Sequence, residues 1–148
     1  MKKTIVLGIN LLIGMLFIVL ASYIQAKHET EIKVTEIRSA KGKILLNVFK
    51  DQAGYDDQKP FKQLAFDKKD ITNGTINISC ELEPGTYGFT IVDDENNNSK
   101  IDKNIIGVPK EGFGFSNFFM EKMKKPKFDD FKVDLKTQPK IVIRVKYM

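Results

Sequence analysis

Ile76-Asn77-Ile78-Ser79-Cys80-Glu81-Leu82 runs into Glu83-Pro84-Gly85 and out again as Thr86-Tyr87-Gly88-Phe89-Thr90-Ile91-Val92. Ile76, Ile78, Cys80 and Leu82 alternate with polar residues before the turn, and Tyr87, Phe89 and Ile91 alternate with Gly88, Thr90 and Val92 after it. A period of two places one set of side chains on one face of a strand, and Pro-Gly punctuates the chain between two such runs. Outward from this stretch the pattern repeats. Ile32 and Val34 form one run, and Ile44, Leu46 and Val48 another, with Leu45, Asn47 and Phe49 opposite. Later come Phe131, Val133 and Leu135, then Ile141, Ile143, Val145 and Tyr147. Phe61–Phe66 is a weaker run, readable as a strand or a short helical turn. Lys41-Gly42, Asp51–Asp57, Asn73-Gly74 and Thr137–Pro139 separate the runs. Cys80 in register with Ile76 and Ile78 reads as a buried apolar thiol. The pattern predicts an all-β chain, an antiparallel β-sandwich of about seven strands, immunoglobulin-like or prealbumin-like.

The ends of the chain differ in character. Lys2-Lys3 precedes an uncharged run from Thr4 to Ile24, and Ala26 is followed by charged Lys27, Glu29 and Glu31. Positive charge, apolar run and small residue in that order predict an N-terminal signal helix over residues 1–26, cleaved after Ala26. The run is also long enough to span a bilayer, so a retained anchor is the competing reading, and the protein meets a membrane only in that case. Either way residues 27–148 form one domain outside the cytoplasm, periplasmic, outer-envelope or secreted. No Cys follows the apolar run, which disfavours a lipid-anchored lipoprotein. The whole chain of 148 residues carries 24 Lys+Arg against 19 Asp+Glu. Without Lys2 and Lys3 the excess is three positive charges, well mixed, which argues against a nucleic-acid partner. One Cys excludes an intrachain disulfide, and His28 as the single His excludes multi-histidine chemistry.

From Asp93 to about Lys127 the sequence shows no clear strand and is rich in Asp, Asn, Gly, Phe and Lys. So long a connection is usually functional or disordered, and its phenylalanines argue that it folds back on the sandwich. Within it, Asp94-Glu95-Asn96-Asn97-Asn98-Ser99-Lys100-Ile101-Asp102 has the spacing D-x-N-x-N-x-x-x-D. Calcium takes six to eight hard oxygens, and alternate residues of a curled loop can supply them. Asp94, Asn96, Asn98 and Asp102 are the candidate side-chain ligands, Lys100 a carbonyl ligand, and Glu111 a closing carboxylate, with Asp93 and Glu95 in reserve. Ser99 stands where an EF-hand has Gly and Ile105 where it has Glu, so this is not an EF-hand. With two certain carboxylates the expected Kd is roughly 10⁻⁴–10⁻³ M. The alternative is a solvated turn rich in Asp and Asn.

Gly107-Val108-Pro109-Lys110-Glu111-Gly112-Phe113-Gly114-Phe115-Ser116-Asn117 follows. It has no phosphate-loop spacing, and Ser116 lacks both a His base and a G-x-S-x-G elbow. A buried structural loop is the first reading, and a binding lip over Phe113–Phe119 for an envelope carbohydrate or protein is the second. A small hydrolase using Asp93, Asp94, Glu95, Glu111, Asp129 or Asp130 is a third. Lys122, Lys124, Lys125 and Lys127 read as a solvated basic run.

Leu82-Glu83-Pro84-Gly85-Thr86-Tyr87, the Asp94–Asp102 motif, the Gly107–Asn117 motif and Pro126-Lys127-Phe128-Asp129-Asp130, in this order, resemble a bacterial family of secreted proteins catalogued as a domain of unknown function. That family usually has His at Asp93, Gly at Asn97 and Ser99, Tyr at Phe113 and Ala at Phe131. The Pro-Gly-Thr-Tyr turn is also similar to that of transthyretin-like and carboxypeptidase-regulatory-like sandwiches, which implies a fold and no activity. The sequence therefore leads to an exported, non-enzymatic β-sandwich with a calcium loop, engaging some envelope or extracellular ligand.

Overall fold

The computed structural model describes residues 28–148 apart from Met123 and Pro139. The expected signal helix and its cleavage point lie outside the described residues. Among those residues no helix is long and apolar enough to cross a membrane.

Among the described residues eight strands form two sheets. The smaller has β1 (His28–Thr35) at its centre, between β4 (Ile76–Leu82), antiparallel to it, and β8 (Ile141–Arg144), parallel to it. The larger runs β3 (Lys62–Asp67), β2 (Lys43–Phe49), β5 (Thr86–Asp94), β6 (Gly112–Phe115), all antiparallel neighbours. β7 (Lys132–Asp134) pairs with the opening residues of β5, below β6 on the same edge. The weak Phe61–Phe66 run is thus strand β3. The Pro84-Gly85 turn carries the chain from the smaller sheet to the larger.

Alternation explains the smaller sheet directly. Thr30, Ile32 and Val34 of β1 are buried, while Glu29, Glu31 and Lys33 face solvent. β4 repeats this with Ile76, Ile78, Cys80 and Leu82 inside. These pack against Ile44, Leu46 and Val48 of β2 and Tyr87, Phe89 and Ile91 of β5 in one core. Cys80 is buried there, and burial pushes its thiol pKa up. β2 and β5 do not expose their second face. Leu45, Phe49 and Val92 are buried as well, because the Asp93–Lys127 connection lies across them. There Phe49, Tyr55, Phe113, Phe115, Met120, Phe128 and Phe131 make a second apolar cluster. The short helices α1 (Gln52–Asp56) and α2 (Phe128–Phe131) flank it, and the Tyr55 and Phe131 rings meet edge-on at 4.9 Å. Two sheets and both apolar clusters are built from the described residues.

Two expectations are corrected. The Asp93–Lys127 connection contains a strand, β6, which alternation could not reveal because every residue of Gly112–Phe115 is buried. Phe131 does not begin a strand: it closes α2, and Val133 alone carries the inward face of β7.

Candidate functional site

β5 ends at Asp94, the first residue of the Asp/Asn motif, and the register sets its side chain on the outer face with Thr90 and Val92. One Asp94 carboxylate oxygen accepts from the backbone N–H of Asn98 at 3.1 Å and the other from that of Ser99 at 2.8 Å. Asn96 and Asn98 accept from the N–H groups of Asn98 and Lys100 respectively, which curls the loop through successive Asx turns. Their amide nitrogens converge on a single oxygen of Asp102, at 2.7 and 2.9 Å. Asn97 and Ser99 take positive φ, 60° and 61°.

Glu111 closes the loop from β6's side. One carboxylate oxygen accepts from the Asp102 N–H at 3.1 Å, while Oε1 is buried without a hydrogen-bond partner. Glu111 is 5% exposed. Burial pushes its pKa up, and the charges of Asp94, Asp102 and Asp93 push the same way against the Asp102 N–H. A buried carboxylate oxygen with no donor is costly unless a proton or a cation joins it.

Of the predicted calcium ligands, Asn96, Asn98 and Asp102 therefore converge on one point, while Asp94 and Glu111 border it through the loop backbone. No contact of the Lys100 carbonyl draws it to that point. Among the described residues no three His, Cys, Asp or Glu side chains gather closely enough to hold a metal ion. The reason is chemical: mutually repelling carboxylates bind amides and backbone N–H groups instead of one another. The donor types nonetheless fit calcium. A half-turn of the Asn96 and Asn98 amides brings oxygen in place of nitrogen beside Asp102, at the cost of the Asx-turn hydrogen bonds those oxygens accept from Asn98 and Lys100.

The two reserve ligands are committed elsewhere. Asp93 lies on the inner face, fully buried, paired with the equally buried Lys68 and accepting from the Tyr147 hydroxyl at 2.5 Å. Burial, and then this hydrogen bond, push the Tyr147 pKa up. Glu95 is bidentate to the Arg38 guanidinium, at 2.5 and 3.0 Å, and accepts from Ser39. The Arg38 hydrogen bond, helped by Ser39, holds the Glu95 carboxyl at about 2. Neither can turn to the loop without abandoning a cation. Of the remaining carboxylates, Asp129 pairs with Lys132, and Asp130 caps α2 by accepting from the Lys127 N–H.

The Phe113–Phe119 segment is not an exposed lip. Phe113 and Phe115 are buried in the outer cluster and Phe118 and Phe119 are half-buried. Ser116 is fully buried, donating to the carbonyl of Phe131 at 2.5 Å and accepting from the N–H of Phe89 at 3.0 Å. It ties β5 to α2 and has no access to a substrate. Asn117 takes a positive φ and accepts from the Val142 N–H at 2.9 Å. Gly-x-Gly-Phe-Ser-Asn is thus a clasp between the sheets.

What lies open is a groove of about 800 Å³ on the outer face of the larger sheet. Leu45, Phe49, Val92, Phe113 and Phe115 underlie it, and the segment from Ser99 to Pro109 walls it on one side. A polar line crosses the floor, Gln63 donating to Asn47 at 2.7 Å and Asn47 lying 3.5 Å from Thr90. The groove and the Asp/Asn loop share a wall. Sequence reasoning missed the groove because it depends on the connection folding across β2 and β5, which no local pattern records.

Fold and site together define an all-β, two-sheet protein carrying an acidic loop beside a surface groove. A family model described as an uncharacterized protein conserved in bacteria (DUF2141) matches residues 32–143, and the chain belongs to that family. No curated protein and no solved structure matches it.

Proposed function

We propose that this protein is an exported, non-enzymatic β-sandwich, immunoglobulin-like or prealbumin-like, whose Asp94–Asp102 loop binds calcium and thereby rigidifies the wall of the outer groove. The observation that carries the reading is the buried, partnerless Oε1 of Glu111. An orphaned buried acceptor costs about 1–3 kcal/mol, and a cation would supply its missing partner. Asp94, Asn96, Asn98 and Asp102 would contribute side-chain oxygens and Lys100 its carbonyl. Export rests on Lys2-Lys3, the apolar run and Ala26. The non-enzymatic reading rests on the candidate carboxylates: Asp93, Glu95, Asp129 and Asp130 are engaged in structural contacts, and Asp94 and Glu111 belong to the loop.

The test is a thermal melt of residues 27–148 at about 1 mM calcium and again in chelator. A Kd of about 10⁻⁴ M would stabilise the fold by about 1.4 kcal/mol at that concentration. For this size the melting temperature should rise by roughly 3–8 °C. Asp94→Ala should abolish the rise. Glu111→Gln should abolish it too, while raising stability in chelator, because the amide can be buried without a charge. Coincident melts up to about 10 mM calcium would sink the metal reading. They would leave the groove as the functional feature, a module for an envelope carbohydrate or protein, favoured by the Gln63–Asn47–Thr90 line on an otherwise apolar floor.

A further inference from the structure

The segment Asp102–Lys110 is a hairpin that projects from the groove wall. Lys103 and Pro109 bridge its two arms, Lys110 donates its N–H to the Asp102 carbonyl at 2.8 Å, and Asn104 donates its own to Val108 at 2.8 Å. A turn closes the tip, with Gly107 at φ 81° donating to the Asn104 carbonyl. The Asn104 side-chain oxygen accepts from the N–H groups of Ile106 and Val108, at 3.1 and 2.9 Å. The tip's amides from Ile106 to Val108 are therefore satisfied within the hairpin. Yet this pre-built tip presents its largest apolar side chains to water: Ile105 is 105% exposed and Ile106 82%. No other large hydrophobic among the described residues exceeds 54%.

The charges beside the tip have one sign. Lys103 and Lys110 flank it, both exposed, and no acid lies between them. Lys100 is exposed nearby in the loop. The acids just beyond face away from the tip's chemistry, Glu111 being buried and Asp102 held by the Asn96 and Asn98 amides.

We infer that Ile105 and Ile106 insert into the interface of an anionic lipid bilayer, with Lys103 and Lys110 on the headgroup phosphates. Two isoleucines on a narrow turn offer far less than the roughly 800 Å² per partner of a stable protein interface. A bilayer accepts an apolar wedge without shape complementarity, provided the inserted backbone brings its own hydrogen bonds. Lysine stems can lie along the apolar side chains while their ammonium groups reach phosphate. This inference is independent of calcium.

The test uses residues 27–148, the span left by the expected cleavage after Ala26, in EDTA so that no divalent ion bridges protein and lipid. The protein should sediment with vesicles of equal parts phosphatidylglycerol and phosphatidylcholine, and not with phosphatidylcholine alone. Ile105→Glu/Ile106→Glu should weaken binding by about tenfold or more. Lys103→Gln/Lys110→Gln should weaken it by about fivefold per lysine and remove most of its salt dependence. Both sites are solvent-exposed, so these variants should melt like the parent. The chain has no Trp, so Ile105→Trp gives a single reporter whose emission should shift to the blue on adding the anionic vesicles. Equal sedimentation of the parent and the double-Glu variant would overturn the inference. So would a blue shift that grows with protein concentration without vesicles, which would assign the tip to a second copy of the chain.

Discussion

Ser99 shows how a single side chain can sit in a conformation its chemistry resists. Its φ of 61° puts a Cβ in the left-handed region, and the bend is held by the Asp94 carboxylate on the Ser99 N–H. That conformation costs a non-glycine residue about 1 kcal/mol or more. Ser99→Gly keeps the N–H and relieves the strain, so it should stabilise the protein by about 1 kcal/mol in urea unfolding. Asn97→Gly should gain less, since Asn tolerates this region. The Asp/Asn spacing, and with it the loop that Asp94, Asn96, Asn98 and Asp102 curl through their hydrogen bonds, was legible in the sequence, because the motif is local. The fates of Asp93 and Glu95 were not. Alternation along β5 assigns Asp93 to the core face with Phe89 and Ile91, but Lys68 and Tyr147 meet it only through tertiary folding.

Among the elements, β6 is the one whose sequence looks least like a strand and whose packing most needs that sequence. Gly112 and Gly114 face inward opposite Asp93 and Ile91 of β5, while Phe113 and Phe115 point outward with Val92 and Thr90. The bare inner face lets the C-terminal segment lie close, so that Phe113 bridges Lys146 and Ser116 bridges Ile143. A Cβ on Gly114 would stand 2.5 Å from the Ile143 side chain and 2.7 Å from the backbone oxygen of Arg144. The carbonyl cannot rotate away without breaking the packing. Gly114→Ala should therefore cost about 3 kcal/mol, read as a lower urea midpoint at unchanged slope. A glycine-phenylalanine alternation carries no amphipathic signal when both faces are buried, which is why the connection read as strandless.

Across the molecule, one end of the inter-sheet core is closed by a polar network. Lys68, from the connection between β3 and β4, meets Asp93 at the end of β5, and Tyr147 reaches the same carboxylate from the C-terminal segment. The Arg38 N–H donates to the Tyr147 hydroxyl at 3.1 Å, and the Arg38 guanidinium lies 4.3 Å from that ring. Lys68 and Asp93 side chains are both fully buried, so removing one leaves a charge without its counter-ion. Lys68→Met should cost about 3–5 kcal/mol, and Lys68→Met/Asp93→Asn should recover much of that in the same denaturation assay. Failure of the second change to rescue the first would show that packing, rather than charge, closes this end.

The sequence by itself determined the strands of the smaller sheet, the inner faces of β2 and β5, the buried Cys80 and the motif from Asp94 to Asp102. Each is written in a period of two or in a run of a few residues, and local patterns express local geometry. Tertiary structure alone decided β6, the outer groove, the burial of Glu111, the pairing of Asp93 with Lys68 and the exposed hairpin tip. These arise when residues far apart in the chain cover, or fail to cover, one another.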